Sequence, residues 1–534
     1  MLKVEAIGKT KALLYVCRQI HQNMCSKKIC LLFLLFSVFI VTNAQTKKKD
    51  IPVAESDCRP IIGELQDKRN TLKLLNFFTY KNETCRALAV QAFGSVQDTF
   101  AIPALTQILT SDISTVVRTT AAYSLGQYRK SSLCSDLMKA YANEKASVVK
   151  RTLLEAIGKC ATAEALPFFE NVEIGNTDIE IGQGYAKGVF FAARKNFKSD
   201  ACLEKVSKMA FATKDPFMLY IENVLMRTKN KLPGPLPLSK RPIDDKACYD
   251  SLKQYASPYQ KVKWLENYLP SNAVYDSMAF SKEGHFFTSY CVEQSLATGV
   301  ANTSFLKRCL ESKNLSFIAM AVEKIHKDSA WEANGIDAAY LKKLQSSITM
   351  PKDYEAWVEI EKAVCAIEKR TYQYKTPSYN HPIDWRYANK LQAIEKVQIV
   401  TTKGTMVMSC YVHEAPGSVV NFLKLVDQGY YNKKYVHRMV PDFVVQGGCP
   451  RGDGWGALDW TQRSEFSSVL NYKKGSVGLA SAGKDSEGVQ FFITHGFTPS
   501  LDGRYTIFGE ITQGLDTIDL LQIGDMIISI QRIQ

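Results

Sequence analysis

The sequence predicts two architectures in one chain, an all-α solenoid towards the N-terminus and a closed eight-stranded β-barrel capped by two helices at the C-terminus. A repeat indicates the solenoid, because Gly94, Gly126 and Gly158 are each 32 residues apart. Short runs with β character in the last third of the chain indicate the strands. At 534 residues the chain is also long enough for roughly three or four domains.

The chain begins with the layout of a secretory signal peptide. Two lysines precede an almost wholly apolar run over residues 29–41, and small and polar residues follow it before Gln45. The run is shorter than the ~20 residues that span a bilayer, so we predict a cleaved signal peptide over residues 1–44 and keep a membrane anchor as the alternative. A further hypothesis is that residues 1–23 are an over-extended start. The mature chain is then expected in the periplasm or cell envelope of a bacterium.

Composition limits the classes of partner. Residues 1–44 carry a net charge of +5, which leaves about +9 of the total of +14. The remainder has no concentrated basic block with interleaved aromatic residues, so a basic solvated surface is favoured over nucleic-acid binding. It also has no later apolar stretch long enough to span a membrane.

Cysteine usage argues against a metal or redox site. Eleven cysteines follow Ala44, scattered singly and without a C-x-x-C pair, so a zinc ribbon or a thioredoxin-like site is not expected. Export would allow disulfides. The odd count and the unpatterned spacing favour buried thiols for most of these residues.

The repeated segments share a helical pattern that closes on glycine. They are NETCRALAVQAFG at 82–94, STVVRTTAAYSLG at 114–126 and ASVVKRTLLEAIG at 146–158. A basic residue recurs at Arg86, Arg118 and Lys150, and a second short helix is indicated between the segments. Two helices per unit are typical of an α-solenoid, and the segments resemble HEAT repeats. We predict HEAT-like helical repeats over residues 55–228 and a structural role for the recurring basic residue.

The rest of the chain divides at two breaks. A Pro-rich stretch over 231–242 precedes a second helical region at 244–370 that shows no clear period, and a turn-rich linker is predicted at 371–390. The last domain is predicted over 391–534. Its strands are predicted near 397–401, 405–411, 435–440, 443–446, 476–480, 490–494, 505–508 and 527–533, with helices near 417–428 and 513–521.

Three motifs within this last domain carry a family resemblance. They read HRMVPDFVVQGG at 437–448, GLASAGKDSEGVQFFIT at 478–494 and LDGRYTIFG at 501–509. In order and spacing they are similar to the signatures of the cyclophilin-type peptidyl-prolyl cis-trans isomerases, over about 145 residues. The resemblance implies a cyclophilin-like barrel that isomerises Xaa-Pro bonds, with proline-containing polypeptides as substrates and no metal or cofactor.

The resemblance also implies the site. Arg438 matches the catalytic arginine, and Gln446, a polar residue of the groove, is assigned to catalysis with it. Residues implied to bind substrate are Phe443, Val444, Ala480, Ser481, Gln490, Phe492, Leu501 and Tyr505. Three positions depart from the best-known eukaryotic pattern, since Val444 replaces Met, Ser500 replaces Trp and Tyr505 replaces His. The lost Trp bears on cyclosporin binding more than on catalysis.

These residue types fit the reaction. Rotation about a peptide bond has a barrier of about 18–20 kcal/mol, and an unaided Xaa-Pro bond isomerises over tens to hundreds of seconds. Twisting the bond localises the lone pair of the proline nitrogen, so a fixed donor such as Arg438 would bind the transition state more strongly than the ground state. An apolar pocket holds the ring meanwhile. This chemistry requires no nucleophile, metal or general base.

The leading interpretation is therefore an exported prolyl isomerase whose helical repeats bind a client or a partner protein. One alternative is a non-enzymatic scaffold that uses both domains for protein binding. Another is a chaperone whose isomerase activity is incidental. The presence of Arg438, Phe443, Gln446 and Phe492 together favours the enzyme.

Overall fold

The computed structural model describes residues 58–229, 240–297, 303–328 and 335–533. The predicted signal peptide at 1–44 lies outside the described residues. Residues 57–534 form one unit, so the contacts between its parts can be read directly. Within the described ranges, no helix has both the length and the apolar character that a membrane crossing requires.

The first part of the chain is an array of paired helices, as predicted. They are α1 (Cys58–Asp67), α2 (Thr71–Leu75), α3 (Glu83–Val96), α4 (Ile102–Ser111), α5 (Thr115–Gln127), α6 (Cys134–Asn143), α7 (Ser147–Cys160), α8 (Ala165–Asn171), α9 (Ile179–Arg194), α10 (Asp200–Thr213) and α11 (Pro216–Lys229). Side-chain caps begin two of the repeated helices: Asn82 accepts a hydrogen bond from the backbone of α3, and Ser114 accepts one from that of α5. The helices α3, α5, α7 and α9 pack on one another in chain order. This stacking confirms the predicted solenoid.

The recurring glycines lie where the stacked helices come closest. A Cβ atom on Gly126 of α5 would meet the Cβ of Ala156 at 2.9 Å. One on Gly158 of α7 would collide with the backbone of Gly188 on α9. Glycine therefore recurs because any side chain would push neighbouring repeats apart.

Replacing Gly158 by alanine is expected to destabilise the array by about 1–3 kcal/mol, the usual effect of overpacking. The new methyl group would meet backbone atoms of Gly188, which cannot swing aside as a flexible side chain can. Gly175→Ala is the matched control, because the nearest atom to its Cβ would be 3.9 Å away. Urea unfolding followed by circular dichroism measures both variants. Equal stability of the two would show that α7 and α9 do not depend on this close approach.

The basic residue that recurs with the repeat is structural, as predicted. Arg86 of α3 donates to both carboxylate oxygens of Asp112, at 2.8 and 3.0 Å, and Arg118 of α5 bonds Glu144 in the same way. The Arg118 hydrogen bonds lower the pKa of Glu144 to about 2. Each acid follows the second helix of its own repeat, so the ion pair closes the unit. In the third repeat Lys150 lies 5.1 Å from the centre of an aromatic ring instead.

A second helical region follows. Its helices are α12 (Asp245–Leu252), α13 (Pro258–Leu265), α14 (Asn272–Ala279), α15 (His285–Ala297), α16 (Thr303–Glu311), α17 (Leu315–Asp328), α18 (Ala338–Gln345) and α19 (Tyr354–Ile367). Two short strands, β1 (Arg241–Pro242) and β2 (Tyr268–Leu269), pair in parallel beside them. One apolar core that runs from Cys248 to Val364 joins these helices.

The last part of the chain is a curled antiparallel sheet with helices packed on it. The strands are β3 (Ile394–Thr401), β4 (Gly404–Tyr411), β5 (Lys434–Tyr435), β6 (Arg438–Val440), β7 (Val444–Gly447), β8 (Ser476–Leu479), β9 (Phe491–Thr494), β10 (Ile507–Gln513) and β11 (Met526–Ile533). The helices are α20 (Trp385–Ala388), α21 (Pro416–Asp427) and α22 (Leu515–Leu520). The two predicted helices correspond to α21 and α22.

The sheet has nine strands in the described residues where eight were predicted. Its order is β5-β11-β3-β4-β10-β8-β9-β7-β6, so the two end strands, β5 and β6, are consecutive in the chain. Between them Val436 donates to the carbonyl of Asp525 and His437 to that of Gln446. The first half of the strand predicted at 435–440 therefore pairs with β11 and the second half with β7. This change of partner brings the two ends of the sheet together as a barrel.

The segment predicted as a linker packs along its neighbours. It has no regular structure before α20, yet the backbone N–H of Asn380 donates to the carbonyl of Thr461 at 3.2 Å. The hydroxyl of Tyr379 donates to the carbonyl of Asp67 in the first array. The segment is thus fixed at both sides and does not act as a free tether.

Buried charges join the first array to the barrel. Nζ of Lys187, on α9, lies 2.8 Å from a carboxylate oxygen of Asp502 and 2.9 Å from one of Glu155 on α7. Arg463 of the barrel pairs with Asp67 at the end of α1. The barrel therefore contacts the solenoid of the same chain at α1 and α9.

Candidate active site

Two neighbouring strands bring the proposed catalytic pair together. Arg438 on β6 stands opposite Gln446 on β7, and its Nη1 lies 3.5 Å from Oε1 of that glutamine. Nε2 of Gln446 donates to Oε1 of Gln490 at 3.0 Å, and Nε2 of Gln490 donates to the carbonyls of Gly454 and Gly456 at 2.7 and 2.9 Å. This chain of amides orients the guanidinium. Arg438 itself is exposed, so most of its donors are free for a ligand.

An apolar hollow lies beside this polar chain. Phe492 on β9 pairs with Gln446 across the ladder, packs on the ring of Tyr472 at 5.6 Å and meets that of Tyr505 edge-on at 5.8 Å. Val444 and Leu501 are buried in the same cluster, and Phe443, Ala480 and Tyr505 pack at its edge. A small ring could enter this hollow with its nitrogen facing Arg438.

The strip after β8 borders the groove. The N–H of Ala480 donates to the carbonyl of Gln490 at 2.9 Å, so a substrate would meet this strip through its other backbone groups. The hydroxyl of Ser481 is buried and has no hydrogen-bond partner among the described residues. It is a polar atom available to a ligand.

His437, next to Arg438, is buried at 6% exposure and lines the same groove. Burial lowers its pKa to about 4, so the ring is neutral at pH 7 and adds no second cation beside Arg438. Within the described ranges, no group of three or more His, Cys, Asp or Glu side chains could hold a metal ion.

All ten residues implied by the resemblance line one groove of about 700 Å³. They come from β6, β7 and β9, from the turn between β6 and β7, from the segment between β8 and β9, and from the turn that precedes β10. The structure thus places them together, while their individual roles stay predictions.

The groove has a second wall that was not predicted from the sequence. Residues of the second helical region lie across from the barrel residues, namely Glu266, Phe286, Ser289, Tyr290, Glu293, Gln294, Asp353, Tyr354 and Glu355 among others. Those on α15 recur every three or four residues and so share one face of the helix. The same spacing is also typical of core residues, so no local signal marked them as part of a site.

The chain matches two family models. One, described as cyclophilin type peptidyl-prolyl cis-trans isomerase/CLD, matches residues 396–529, and one described as HEAT repeats matches residues 71–158. A peptidyl-prolyl cis-trans isomerase of Helicobacter pylori is 40% identical over 135 residues, which cover 25% of this chain and 83% of that protein. Peptidyl-prolyl cis-trans isomerase B of Bacillus subtilis is 42% identical over 117 residues, covering 22% and 82%. The solved structure of a Cryptosporidium parvum cyclophilin type peptidyl-prolyl cis-trans isomerase is 28% identical, covers 26% of this chain and 98% of that one, and gives a TM-score of 0.26.

Proposed function

The chain belongs to the cyclophilin-type peptidyl-prolyl cis-trans isomerases, and from that premise we propose that it isomerises Xaa-Pro bonds of exported proteins in the cell envelope of a bacterium. The observation that carries the proposed site is the single groove lined by all ten residues. It combines an exposed, oriented guanidinium with an apolar hollow next to it.

In this mechanism the hollow around Phe492 holds the proline ring while the carbonyl side of the bond rotates. As the bond twists, the proline nitrogen gains a localised lone pair, and Arg438 donates to it. Gln446 keeps the guanidinium in place from the neighbouring strand, and Gln490 in turn fixes Gln446. Catalysis then needs positioning and one well-aimed donor, with no covalent intermediate.

Two other functions stay open as alternatives, a non-enzymatic scaffold and a chaperone that uses both parts of the chain. Both would leave the exposed arginine and the hollow without a catalytic use. The assay that separates them from the enzyme compares the full chain with its Arg438→Ala variant on a short Xaa-Pro peptide. A rate no faster than the uncatalysed one, from protein that is folded, would favour the scaffold.

A role of the helical repeats in client or partner binding remains part of the proposal. Among the described residues, the repeats contact the barrel of the same chain, through the ion pairs of Lys187 and Arg463 among others. Several large apolar side chains of the array are nevertheless exposed, with Phe100 at 65% and Ile113 at 93%. Exposed apolar side chains mark a site for a protein partner where they form a contiguous patch, and the proposal expects these two to belong to one.

Export is supported by the cysteines. Cys58 and Cys85 form a disulfide between α1 and α3, and the other nine cysteines of the described ranges are free and buried. Disulfides persist in oxidising compartments such as the bacterial periplasm and are rare in the cytosol. The pair therefore agrees with a signal peptide ahead of it.

The native protein is expected to begin at Gln45 and to hold nine free thiols. N-terminal sequencing of protein purified from its own cells gives the start, and thiol titration in denaturant without reductant gives the count. A chain that retains residues 29–41 and fractionates with membranes would replace the cleaved signal with an anchor. Eleven thiols in the mature chain would show that the Cys58–Cys85 bond does not form in the native compartment.

A further inference from the structure

The second helical region forms one side of the groove that holds Arg438. Along α15 the residues Phe286, Ser289, Tyr290, Glu293 and Gln294 face the groove together. Glu266, just after α13, and Glu355, at the start of α19, extend this side. We call the surface formed by these seven residues the helical wall.

One of the contacts that anchor the helical wall to the barrel is made by the loop at residues 451–454. Nη2 of Arg451 donates to Asn314 at 2.9 Å and pairs with Asp453 at 2.7 Å, and the hydroxyl of Tyr259 donates to the carbonyl of Gly452. The next glycine of this loop, Gly454, accepts the hydrogen bond from Gln490. The loop that supports the amide chain at Arg438 thus also fixes the position of the wall.

The charge of the wall is opposite to that of the chain. Its carboxylates Glu266, Glu293 and Glu355 are exposed to the groove, and none forms an ion pair with a described residue. The two cations on the lining are Arg438 and Lys352, and Lys352 is already paired with Asp459 at 3.0 Å. A chain with a net charge of +14 thus turns unpaired negative charge towards its own active site.

These carboxylates would gain from a cationic ligand. Desolvation, with a contribution from Glu359, raises the pKa of Glu355 to about 7, and desolvation also raises the pKa values of Glu266 and Glu293. The charge of Lys240 offsets part of the rise in the pKa values of Glu266 and Glu293, although Lys240 forms no ion pair with either of them. A positive group within about 4–6 Å favours the charged form of a carboxylate, so a basic side chain would relieve this desolvation.

A second observation also points to a ligand in the groove. The ring nitrogens of the buried His437 have no close, well-aligned hydrogen bond among the residues that the structure describes, only weaker contacts with Gln490 and the backbone of Tyr435, and the hydroxyl of Ser481 has no partner there. Both side chains line the groove opposite the helical wall. Polar atoms of this kind normally bond to a ligand or to water.

We propose that the helical wall is an additional substrate-binding surface, and that its glutamates bind Lys or Arg side chains of a polypeptide client that flank the isomerised proline. This rests on the proposed prolyl isomerase function and adds a preference for basic clients. The half-buried aromatic rings of Phe286 and Tyr290 would cover the apolar stems of those long side chains.

The test measures binding of fluorescein-labelled peptides by anisotropy at pH 8, where Glu355 is ionised. The peptides share a central Ala-Pro and differ in their flanks, which carry lysines, glutamates or neutral residues. Wild-type protein is expected to bind the lysine-flanked peptide about 5- to 10-fold more tightly than the neutral one, since each charged contact contributes modestly. Added salt should reduce the preference.

The variant E266Q/E293Q/E355Q is expected to lose this preference. The variant E164Q/E204Q/E311Q is the matched control, because it removes the same charge from exposed positions outside the groove and should keep the preference. A groove variant that still prefers lysine flanks, or a wild type that binds all flanks equally, would overturn the proposal. So would tighter binding of a bare tetrapeptide than of any extended one, because the wall would then obstruct clients.

Failure of the proposed function gives a different result. In that case wild-type protein would not accelerate isomerisation of the neutral peptide at all, whatever the binding data show. Activity on the neutral peptide together with indifference to the flanks would remove the preference for basic clients and leave the isomerase in place.

Discussion

Arg438→Ala is expected to lower kcat/KM for a short Xaa-Pro peptide about 10²- to 10³-fold, the usual effect of removing one preorganised donor to a transition state. Among the described residues its guanidinium makes a single long hydrogen bond, at 3.5 Å from Gln446, and the residue is otherwise exposed. The variant should therefore fold normally and fail mainly in turnover. A protease-coupled assay gives the rate, and thermal unfolding checks the fold.

Arg438→Lys is also expected to be poor. An ammonium on a flexible stem is a point charge, and it does not reproduce the planar donor that Gln446 orients. Arg386→Ala, at an exposed arginine of α20 outside the groove, is the matched control and should leave the rate unchanged. Full turnover by the alanine variant would mean that the bond rotates without this donor and that the assigned mechanism is wrong.

The barrel and the residues of its groove could be predicted because short motifs determine them. Arg438, Gln446 and Phe492 lie on strands that neighbour one another in the sheet, so motif order along the chain converts directly into proximity. The partner change at Val436 and His437 could not be predicted in the same way. The run from 435 to 440 is continuous β pattern, and which strands pair with each half depends on the closed sheet.

The helical wall could not be predicted because its members carry no distinguishing local pattern. Phe286, Tyr290 and Glu293 show ordinary helix spacing in a region without a repeat. They become groove residues through contacts between distant parts of the chain, such as that of Asn314 with Arg451, two residues 137 positions apart in the sequence. Sequence patterns report which face of a helix is apolar and do not report what that face meets.

The contact between the solenoid and the barrel could not be predicted from the sequence for the same reason. The repeats predict a stack of helices, and the glycines predict how closely the helices pack, since both are periodic. Lys187 stands outside the clear repeats, and its partner Asp502 lies in a motif expected only to line the proline pocket. Charges that pair over more than 300 positions leave no trace in local composition.

Lys187→Met is expected to lower the free energy of unfolding by about 3–5 kcal/mol, because it leaves the buried carboxylate of Asp502 without its counter-charge, while Glu155 keeps Lys159. Asp502 and Glu155 both pair with Lys187, and their side chains are 4% and 15% exposed. Burial opposes ionisation of Glu155, yet Lys159 and Lys187 lower its pKa to about 2. Urea unfolding measures the loss, with Lys208→Met, at a fully exposed ion pair, as the control that should change by less than about 0.5 kcal/mol.

The same substitution is expected to slow isomerisation, because Asp502 follows Leu501, which is buried in the apolar hollow of the groove. Asp502 also accepts the backbone N–H of Tyr472 at 2.8 Å, and the ring of Tyr472 packs on Phe492. A displaced Asp502 would therefore disturb the hollow from two sides. We expect KM to rise more than kcat falls, because kcat depends on Arg438.

The double variant K187M/D502N should recover part of the lost stability, because it removes the unpaired charge of Asp502 as well as the charge of Lys187. If K187M is as stable and as active as K208M, the solenoid does not support the proline pocket, and its contact with the barrel has no effect on the enzyme.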